Sequence, residues 1–184
     1  TGRTGVGAGI LVNGVALRGH QGLAGEIGHV VLDPGGPPCH CGNAGCVETY
    51  ISQEAVLRAV RCPTPPGRES LVWLDRMMGI ADSDDGADSR AVVAGMRAVA
   101  EPLGRTIANL VNLLNPQRVV LGGMLERILR VAREDVELAV HRHAFDDPRG
   151  VAELSAAGLG RDSSLIGAAE LAFQRLLGNP LVRY

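Results

Sequence analysis

The segment Cys39-His40-Cys41-Gly42-Asn43-Ala44-Gly45-Cys46 places three thiols within eight residues of a 184-residue chain. A disulfide framework would spread its cysteines along the chain, whereas close clustering favours a bound metal ion. Gly42 and Gly45 allow the backbone to fold tightly enough for the sulfur atoms to converge. The spacing predicts a structural zinc site, because zinc in such sites prefers four thiolate or imidazole ligands in a closed tetrahedron. The alternative is a set of buried, metal-free thiols with a core histidine, which would leave three neighbouring thiols open to oxidation.

Three residues compete for the fourth ligand position: His29, His40 and Cys62. His40 lies between two cysteines, so its side chain is expected to point away from the metal. Cys62 follows a predicted helix and precedes Pro63, so it would need a chain reversal to reach the other thiols. Spacing alone leaves these alternatives open.

Composition excludes several classes of function. Apolar residues make up 46% of the chain and the net charge is −2, which excludes a disordered chain and gives no reason to expect nucleic-acid binding by this segment. Aromatic residues, at 3%, are too few for base-stacking platforms. No apolar run approaches the length of a membrane span and no signal peptide is visible. We therefore expect a cytoplasmic protein without a membrane partner.

The chain starts Thr1-Gly2-Arg3, without Met, and we interpret it as part of a longer protein.

The secondary structure predicted from the sequence alternates strands with helices. Asn13-Gly14 between two apolar runs predicts a β-hairpin over residues 4–18. Further strands are predicted over residues 29–33 and 151–156, and a buried strand beginning at Arg118 runs into a glycine turn. Helices are predicted from near Cys46 or Ser52 to Val60, and over residues 70–81, 88–114, 125–144 and 167–177. This alternation is typical of an α/β fold.

Four parts of the chain resemble the ROK family, which is named for repressors, open reading frames and sugar kinases. They are Gly25-Glu26-Ile27-Gly28-His29, then Gly36-Pro37-Pro38 continuing through the cysteine segment to Val47-Glu48, then Asn115-Pro116 with Val119-Val120-Leu121-Gly122-Gly123, and Leu165-Ile166-Gly167-Ala168-Ala169. They occur in family order and cover nearly the whole chain, and the Cys-x-Cys-Gly-x-x-Gly-Cys-x-Glu pattern is highly specific.

The resemblance implies an actin-like ATPase (ribonuclease H-like) fold of two lobes. Residues 1–184 would form most of the larger C-terminal lobe, with the N-terminal lobe and any winged helix-turn-helix outside this chain. It also implies that His29 is the fourth zinc ligand beside Cys39, Cys41 and Cys46. Sugar hydroxyls would be held by Glu26, His29 and Glu48. Carboxylates accept hydrogen bonds from hydroxyls, and an imidazole with one nitrogen on zinc can donate from the other.

The resemblance further implies a nucleotide site. Thr4, Gly5 and Gly7 resemble the phosphate loop of the actin-like kinases, where backbone N–H groups approach phosphate oxygens. Gly122 and Gly123 match the adenosine-side turn of the family. A glycine-rich hairpin start and a tight strand-to-helix turn would look the same in sequence. ATP with Mg²⁺ would be a cofactor only if the protein is a kinase.

Two functions are compatible with the resemblance, a sugar-responsive regulator and a sugar kinase. A kinase needs a catalytic Asp, which in the family lies upstream of the hairpin, so we do not expect this chain alone to be an active hexokinase-type phosphotransferase. Kinases of the family usually read Gly-Thr-Gly at the phosphate loop, whereas this chain reads Arg3-Thr4-Gly5. The run over residues 159–180 is also more similar to the regulators.

We therefore predict the sugar-sensing, effector-binding domain of a ROK transcriptional regulator, a repressor that contacts DNA through a missing N-terminal domain. The alternative is a ROK sugar kinase of the glucokinase or N-acylhexosamine kinase type. A third possibility is a zinc-containing interaction module without a small-molecule ligand. The expected partners are a sugar or sugar phosphate and, from the resemblance, further copies of the chain in a homodimer or higher homo-oligomer.

Overall fold

The computed structural model describes residues 5–62, 69, 70, 72, 73, 76, 87–145 and 152–178. Within them the chain begins with a short hairpin, in which β1 (Leu11–Val12) pairs antiparallel with β2 (Val15–Ala16). Asn13 and Gly14 have φ angles of 52° and 79°, which are the left-handed values that a type I′ turn requires. The predicted hairpin is confirmed, although its described strands are shorter than the predicted span of residues 4–18.

The strand predicted over residues 29–33 is wrong. A 3-10 turn, Ile27–His29, occupies its start, and Val31 forms only an isolated bridge with Cys46. The backbone of Gly28 packs on the carbonyl of Val6 so closely that a Cβ atom would collide with it. Because the chain at Gly28 crosses so close to Val6, this segment forms a turn and does not pair as a regular strand.

Two short helices follow the cysteine segment where the sequence predicted one. They are α1 (Val47–Ile51) and α2 (Gln53–Ala59). Ser52 separates them because its backbone is extended, with φ −67° and ψ 167°, and its hydroxyl accepts a hydrogen bond from the Ala55 N–H at 3.4 Å. Ser52 is therefore the N-cap of α2.

The centre of the fold is formed by α3 (Ala87–Leu114) and α4 (Met124–His143), which pack against each other, and α3 also packs against α1 and α2. Both helices were predicted to within a few residues, and α4 bends at Ala132, where φ is −131°. The large side chains of α3 and α4 that are fully buried are Met96, Leu103, Ile107, Val92, Ile128, Leu129, Val136 and Val140.

A parallel pair of strands flanks this helical layer. β3 (Arg118–Leu121) and β4 (Glu153–Ala156) are joined through α4, which makes a β-α-β unit. Both strands were predicted, but β3 is not buried throughout, because Val120 is 57% exposed. The described chain ends with a 3-10 turn, Gly160–Asp162, and α5 (Ser163–Gly178), which begins four residues before its predicted start at residue 167.

Most of the helix predicted over residues 70–81 lies outside the described residues. No helix in the described part of the chain has both the length and the apolar character needed to cross a membrane.

The packing of α3 on α4 generates a prediction about Gly104. A Cβ atom there would lie 2.8 Å from the Val136 carbonyl oxygen and 3.1 Å from the Val140 nitrogen, so Gly104→Ala should destabilise the protein by about 1–3 kcal/mol through overpacking. The matched control is Gly167→Ala in α5, where nothing lies within 4 Å of the added Cβ. That change should stabilise the protein by about 0.5–1 kcal/mol. Urea unfolding followed by circular dichroism measures both, and a Gly104→Ala protein as stable as the parent would contradict the packing.

Candidate metal centre and adjoining carboxylate

The cysteine segment is a loop whose two ends are tied together by backbone hydrogen bonds. The N–H groups of Leu32 and Asp33 both donate to the Gly45 carbonyl, at 2.8 and 3.3 Å, and the Gly45 N–H donates to the Pro37 carbonyl at 2.7 Å. Gly45 has a φ of 67°, and a Cβ atom there would collide with the Asp33 carbonyl. Glycine is therefore required at the crossing that brings Cys46 back beside Val31.

Four potential ligand atoms converge at this loop, and we call the four residues the thiol–imidazole cluster. One ring nitrogen of His29 and the Sγ atoms of Cys39, Cys41 and Cys46 all lie within 4.8 Å of one another. Cys39 Sγ is 3.8 Å from His29 Nδ1, and Cys41 Sγ is 3.6 Å from Cys46 Sγ. Ligand atoms of a tetrahedral site with metal–sulfur bonds of about 2.3 Å are about 3.8 Å apart. The cluster thus has the donor set and the spacing of a zinc site.

The pKa values of the three thiols are shifted in opposite directions. A backbone N–H of Asn43 and the Cys39 side chain lower the pKa of Cys41 to about 7. The backbone N–H of Cys41 acts in the same sense on Cys39, but the Glu48 carboxylate, burial and the other thiols outweigh it and raise the pKa of Cys39 to about 12. Burial raises the pKa of Cys46. A negative charge on Cys39 and Cys46 is therefore costly without a compensating cation, which a divalent metal would supply.

Of the three candidates for the fourth ligand, His29 is the one that lies with the thiols. His40 is not part of the thiol–imidazole cluster; its side chain is 75% exposed and its Nδ1 lies 2.8 Å from Oε1 of Glu48. Cys62 is half-buried and packs against the hydrophobic core. Because Nδ1 of His29 faces Cys39, its Nε2 is the nitrogen left for another partner.

The carboxylate of Glu48 lies directly against the thiol–imidazole cluster. Glu48 is in the first turn of α1, whose N-cap is Cys46, and its side chain is 9% exposed. Its Oε1 accepts a hydrogen bond from Cys39 Sγ at 3.0 Å and lies 3.8 Å from His29 Nδ1. Its Oε2 faces Gly5, where an added Cβ atom would be 3.5 Å away. Two of the three predicted sugar-binding residues, His29 and Glu48, are therefore neighbours.

Glu26, the third predicted sugar-binding residue, lies on the same turn as His29. It precedes the 3-10 turn as its N-cap residue and is exposed, and its carbonyl accepts a hydrogen bond from the His29 N–H at 3.2 Å. Glu26 and His29 are therefore three residues apart in the sequence, at the start and the end of the same 3-10 turn.

The residues predicted to bind a nucleotide lie in two places. Thr4 is outside the described residues, Gly5 lies beside Glu48, and Gly7 is exposed. Gly122 and Gly123 form the turn between β3 and α4, with Gly123 as the N-cap at a φ of 64°. A separate cleft of about 280 Å³ lies between α4 and β4 and contains none of the predicted site residues; Arg133, Glu137, His141 and Glu153 are among the residues that line it.

The contact between His40 and Glu48 was not predicted from the sequence. The sequence predicted that the His40 side chain points away from the thiols, but it did not predict which side chain the ring contacts. His40 and Glu48 are eight residues apart, and a loop and the start of a helix lie between them. Such a separation does not fix the distance between two side chains, so the sequence does not predict this contact.

The chain was compared with known proteins. The sequence profile of the ROK family matches residues 2–175. A glucokinase from Halalkalibacterium halodurans is 34% identical over 180 residues, which cover 94% of this chain and 54% of the glucokinase. The DNA-binding transcriptional dual regulator NagC from Escherichia coli is 36% identical over 143 residues, which cover 77% of this chain and 35% of NagC. The chain thus spans about half the length of that glucokinase and about a third of NagC.

Solved structures give the same relationship. A ROK family glucokinase from Streptomyces griseus, in complex with glucose and AMPPNP, matches 93% of this chain and 58% of its own, with a TM-score of 0.71 and 28% identity. A ROK family transcriptional regulator, a homolog of the E. coli MLC protein, matches 83% of this chain and 39% of its own, with a TM-score of 0.64 and 29% identity. The predicted α/β fold of the actin-like ATPase type is that of the ROK sugar kinases. With the family profile covering nearly its whole length, this chain belongs to the ROK family.

Proposed function

We propose that this chain is the sugar-binding part of a ROK protein, and that a structural zinc ion held by the thiol–imidazole cluster fixes the residues that contact the sugar. The observation that carries the proposal is the position of Glu48. Its carboxylate is nearly buried, contacts Cys39 Sγ at 3.0 Å, and follows the ligand Cys46 by two residues. Any ion that fixes Cys39 and Cys46 would therefore also fix the backbone that aims Glu48.

The residues around the cluster can recognise vicinal hydroxyl groups. The Oε2 atom of Glu48 can accept a hydrogen bond from one hydroxyl, and the Glu26 carboxylate from another. Nε2 of His29 can donate, because a ring nitrogen bound to metal fixes the tautomer of the imidazole. The zinc ion would supply a cross-link between the 3-10 turn and the cysteine loop. The set supplies acceptors and a donor to a polyol, which is the basis for proposing a sugar as ligand.

We further propose that the parent protein is a sugar-responsive transcriptional regulator. It would contact DNA through a domain that is not part of this chain. The similarity to NagC supports this reading, as does Arg3 at the position where kinases of the family usually have glycine. In the proposal, sugar binding closes the two lobes and changes how paired DNA-binding domains are arranged, which alters operator affinity.

A ROK sugar kinase is the second candidate, and a specific observation favours it. The S. griseus glucokinase matches 93% of this chain, and it was solved with both glucose and the ATP analogue AMPPNP. Fluorescence anisotropy of the full-length protein on its own promoter, with and without sugars, separates the two candidates. Sugar-dependent ATP turnover without DNA binding would establish the kinase and exclude the regulator.

The zinc site predicts a metal content of about one zinc ion per chain by elemental analysis, because the four side chains form one closed donor set. His29→Ala should lose most of the zinc and lower the unfolding temperature, since metal binding energy contributes directly to folding. The control is Cys62→Ser, which removes a thiol outside the cluster and should keep the metal. Protein purified without a chelator and found free of metal would overturn the site.

Alkylation should distinguish Cys41 from Cys39 in metal-free protein. Cys41 is exposed and its pKa is lowered to about 7, so its thiolate fraction and reaction with iodoacetamide should rise between pH 6 and 8. Cys39 is buried and its pKa is raised to about 12, so it should react slowly over the same range. Peptide mass spectrometry measures each site, and added zinc should protect all three. Equal alkylation rates at Cys39 and Cys41 would contradict the described arrangement.

The sugar site predicts that Glu48→Gln weakens binding of a sugar by about 10- to 100-fold, because hydrogen bonds to charged groups contribute about 1.5–3 kcal/mol. Isothermal titration calorimetry with D-glucose, N-acetyl-D-glucosamine and D-xylose measures the affinity. The control is Glu54→Gln, an exposed carboxylate on α2 that pairs with Arg58, and it should bind like the parent. If no sugar binds the parent chain, the zinc-containing interaction module becomes the better description.

A further inference from the structure

We propose that His40 is a positioning residue that holds the Glu48 carboxylate in the orientation used for sugar binding. The sugar part of this inference rests on the proposed function. His40 is outside the thiol–imidazole cluster, and its place in the sequence indicates no role beyond that of a competing ligand. His40 is adjacent to Cys39 and Cys41 in the sequence, but its side chain contacts Glu48.

The contact joins an exposed imidazole to a nearly buried carboxylate. Nδ1 of His40 lies 2.8 Å from Oε1 of Glu48, and the side chains are 75% and 9% exposed respectively. A carboxylate with so little access to water needs hydrogen-bond donors from the protein. A donor on a carboxylate makes a charge-assisted hydrogen bond, which is shorter and stronger than a neutral one. At 2.8 Å, Nδ1 of His40 is within reach of the Glu48 carboxylate for such a bond.

The His40 ring is held from a second side by the ring of His29. The two ring centres are 5.2 Å apart and the planes meet at 77°, an edge-to-face arrangement. Aromatic pairs favour this geometry over face-to-face stacking. His40 is therefore located between a proposed metal ligand and a proposed sugar ligand, and its own orientation depends on both.

Two side chains contact the same oxygen of Glu48, and metal binding would change one of them. Oε1 is contacted by Cys39 Sγ at 3.0 Å and by His40 Nδ1 at 2.8 Å. A cysteine that binds zinc is a thiolate and has no hydrogen to donate. In the proposal, His40 is then the side chain that can donate to Oε1, which leaves Oε2, on the Gly5 side, for a ligand.

The test compares His40→Ala with His40→Asn in the full chain loaded with zinc. Zinc content should be unchanged in both variants, because His40 is not one of the four residues of the thiol–imidazole cluster. His40→Ala should weaken binding of D-glucose or N-acetyl-D-glucosamine about tenfold, as loss of a charge-assisted hydrogen bond does. His40→Asn should recover binding to within about threefold of the parent, because the amide Nδ2 can donate from nearly the place of Nδ1.

The matched control is His143→Ala, which removes another exposed histidine paired with a carboxylate. Nε2 of His143 lies 2.8 Å from Oε1 of Glu101, on α4 and α3. This variant should bind sugar like the parent. Unchanged sugar affinity in His40→Ala, or an equal loss in His143→Ala, would overturn the positioning role.

A second measurement decides the contact even if the chain binds no sugar. His40→Ala should lower the unfolding temperature of the zinc-loaded protein by about 2–4 °C, but should shift it by less than about 1 °C in a Glu48→Ala background. Additive shifts would show that the two side chains are not coupled and would overturn the inference. Coupled shifts without sugar binding would support the contact while rejecting the proposed function.

Discussion

The crossing of the chain at Gly45 is the constraint on which the site depends. Only a residue without a side chain can lie against the Asp33 carbonyl at a φ of 67°, and this approach closes the loop that carries the three cysteines. The same crossing places Cys46 at the N-terminus of α1. Cys46, Val47 and Ile51 are almost completely buried, at 0%, 1% and 0% exposure, so the loop is anchored in the hydrophobic core through the helix that it starts.

Local features of the sequence were predicted well, since their signals lie within a few residues. Asn13-Gly14 determines a turn by its own backbone preferences, and the bounds of α3 and α4 follow from apolar spacing and from the Asn-Pro pair after α3. Features that depend on contacts between distant segments were missed. Residues 30–32 are apolar like a strand, but Gly28 lies across Val6 and the segment turns. The single helix predicted up to Val60 is divided because Ser52 prefers to cap α2.

The thiol–imidazole cluster shows the same division. Three of its members are neighbours in the sequence, and their convergence was predicted from spacing. His29 could be chosen over His40 and Cys62 only through the family resemblance, because the 3-10 turn that carries it is fixed by packing on Val6. The contact between His40 and Glu48 had no sequence signal at all, as it depends on how the closed loop is seated on α1.

The spacing of Cys46 and Glu48 has a consequence for how such proteins can diverge. A potential metal ligand and the carboxylate beside it share one helical turn, so neither can be moved without the other. Under the proposed sugar site, mutations that alter ligand preference would have freedom elsewhere, on the exposed Glu26 turn and in the glycine-rich segment that Oε2 of Glu48 faces. A fixed rim with an adjustable opposite wall would then let proteins built on this scaffold bind different ligands without a change of fold.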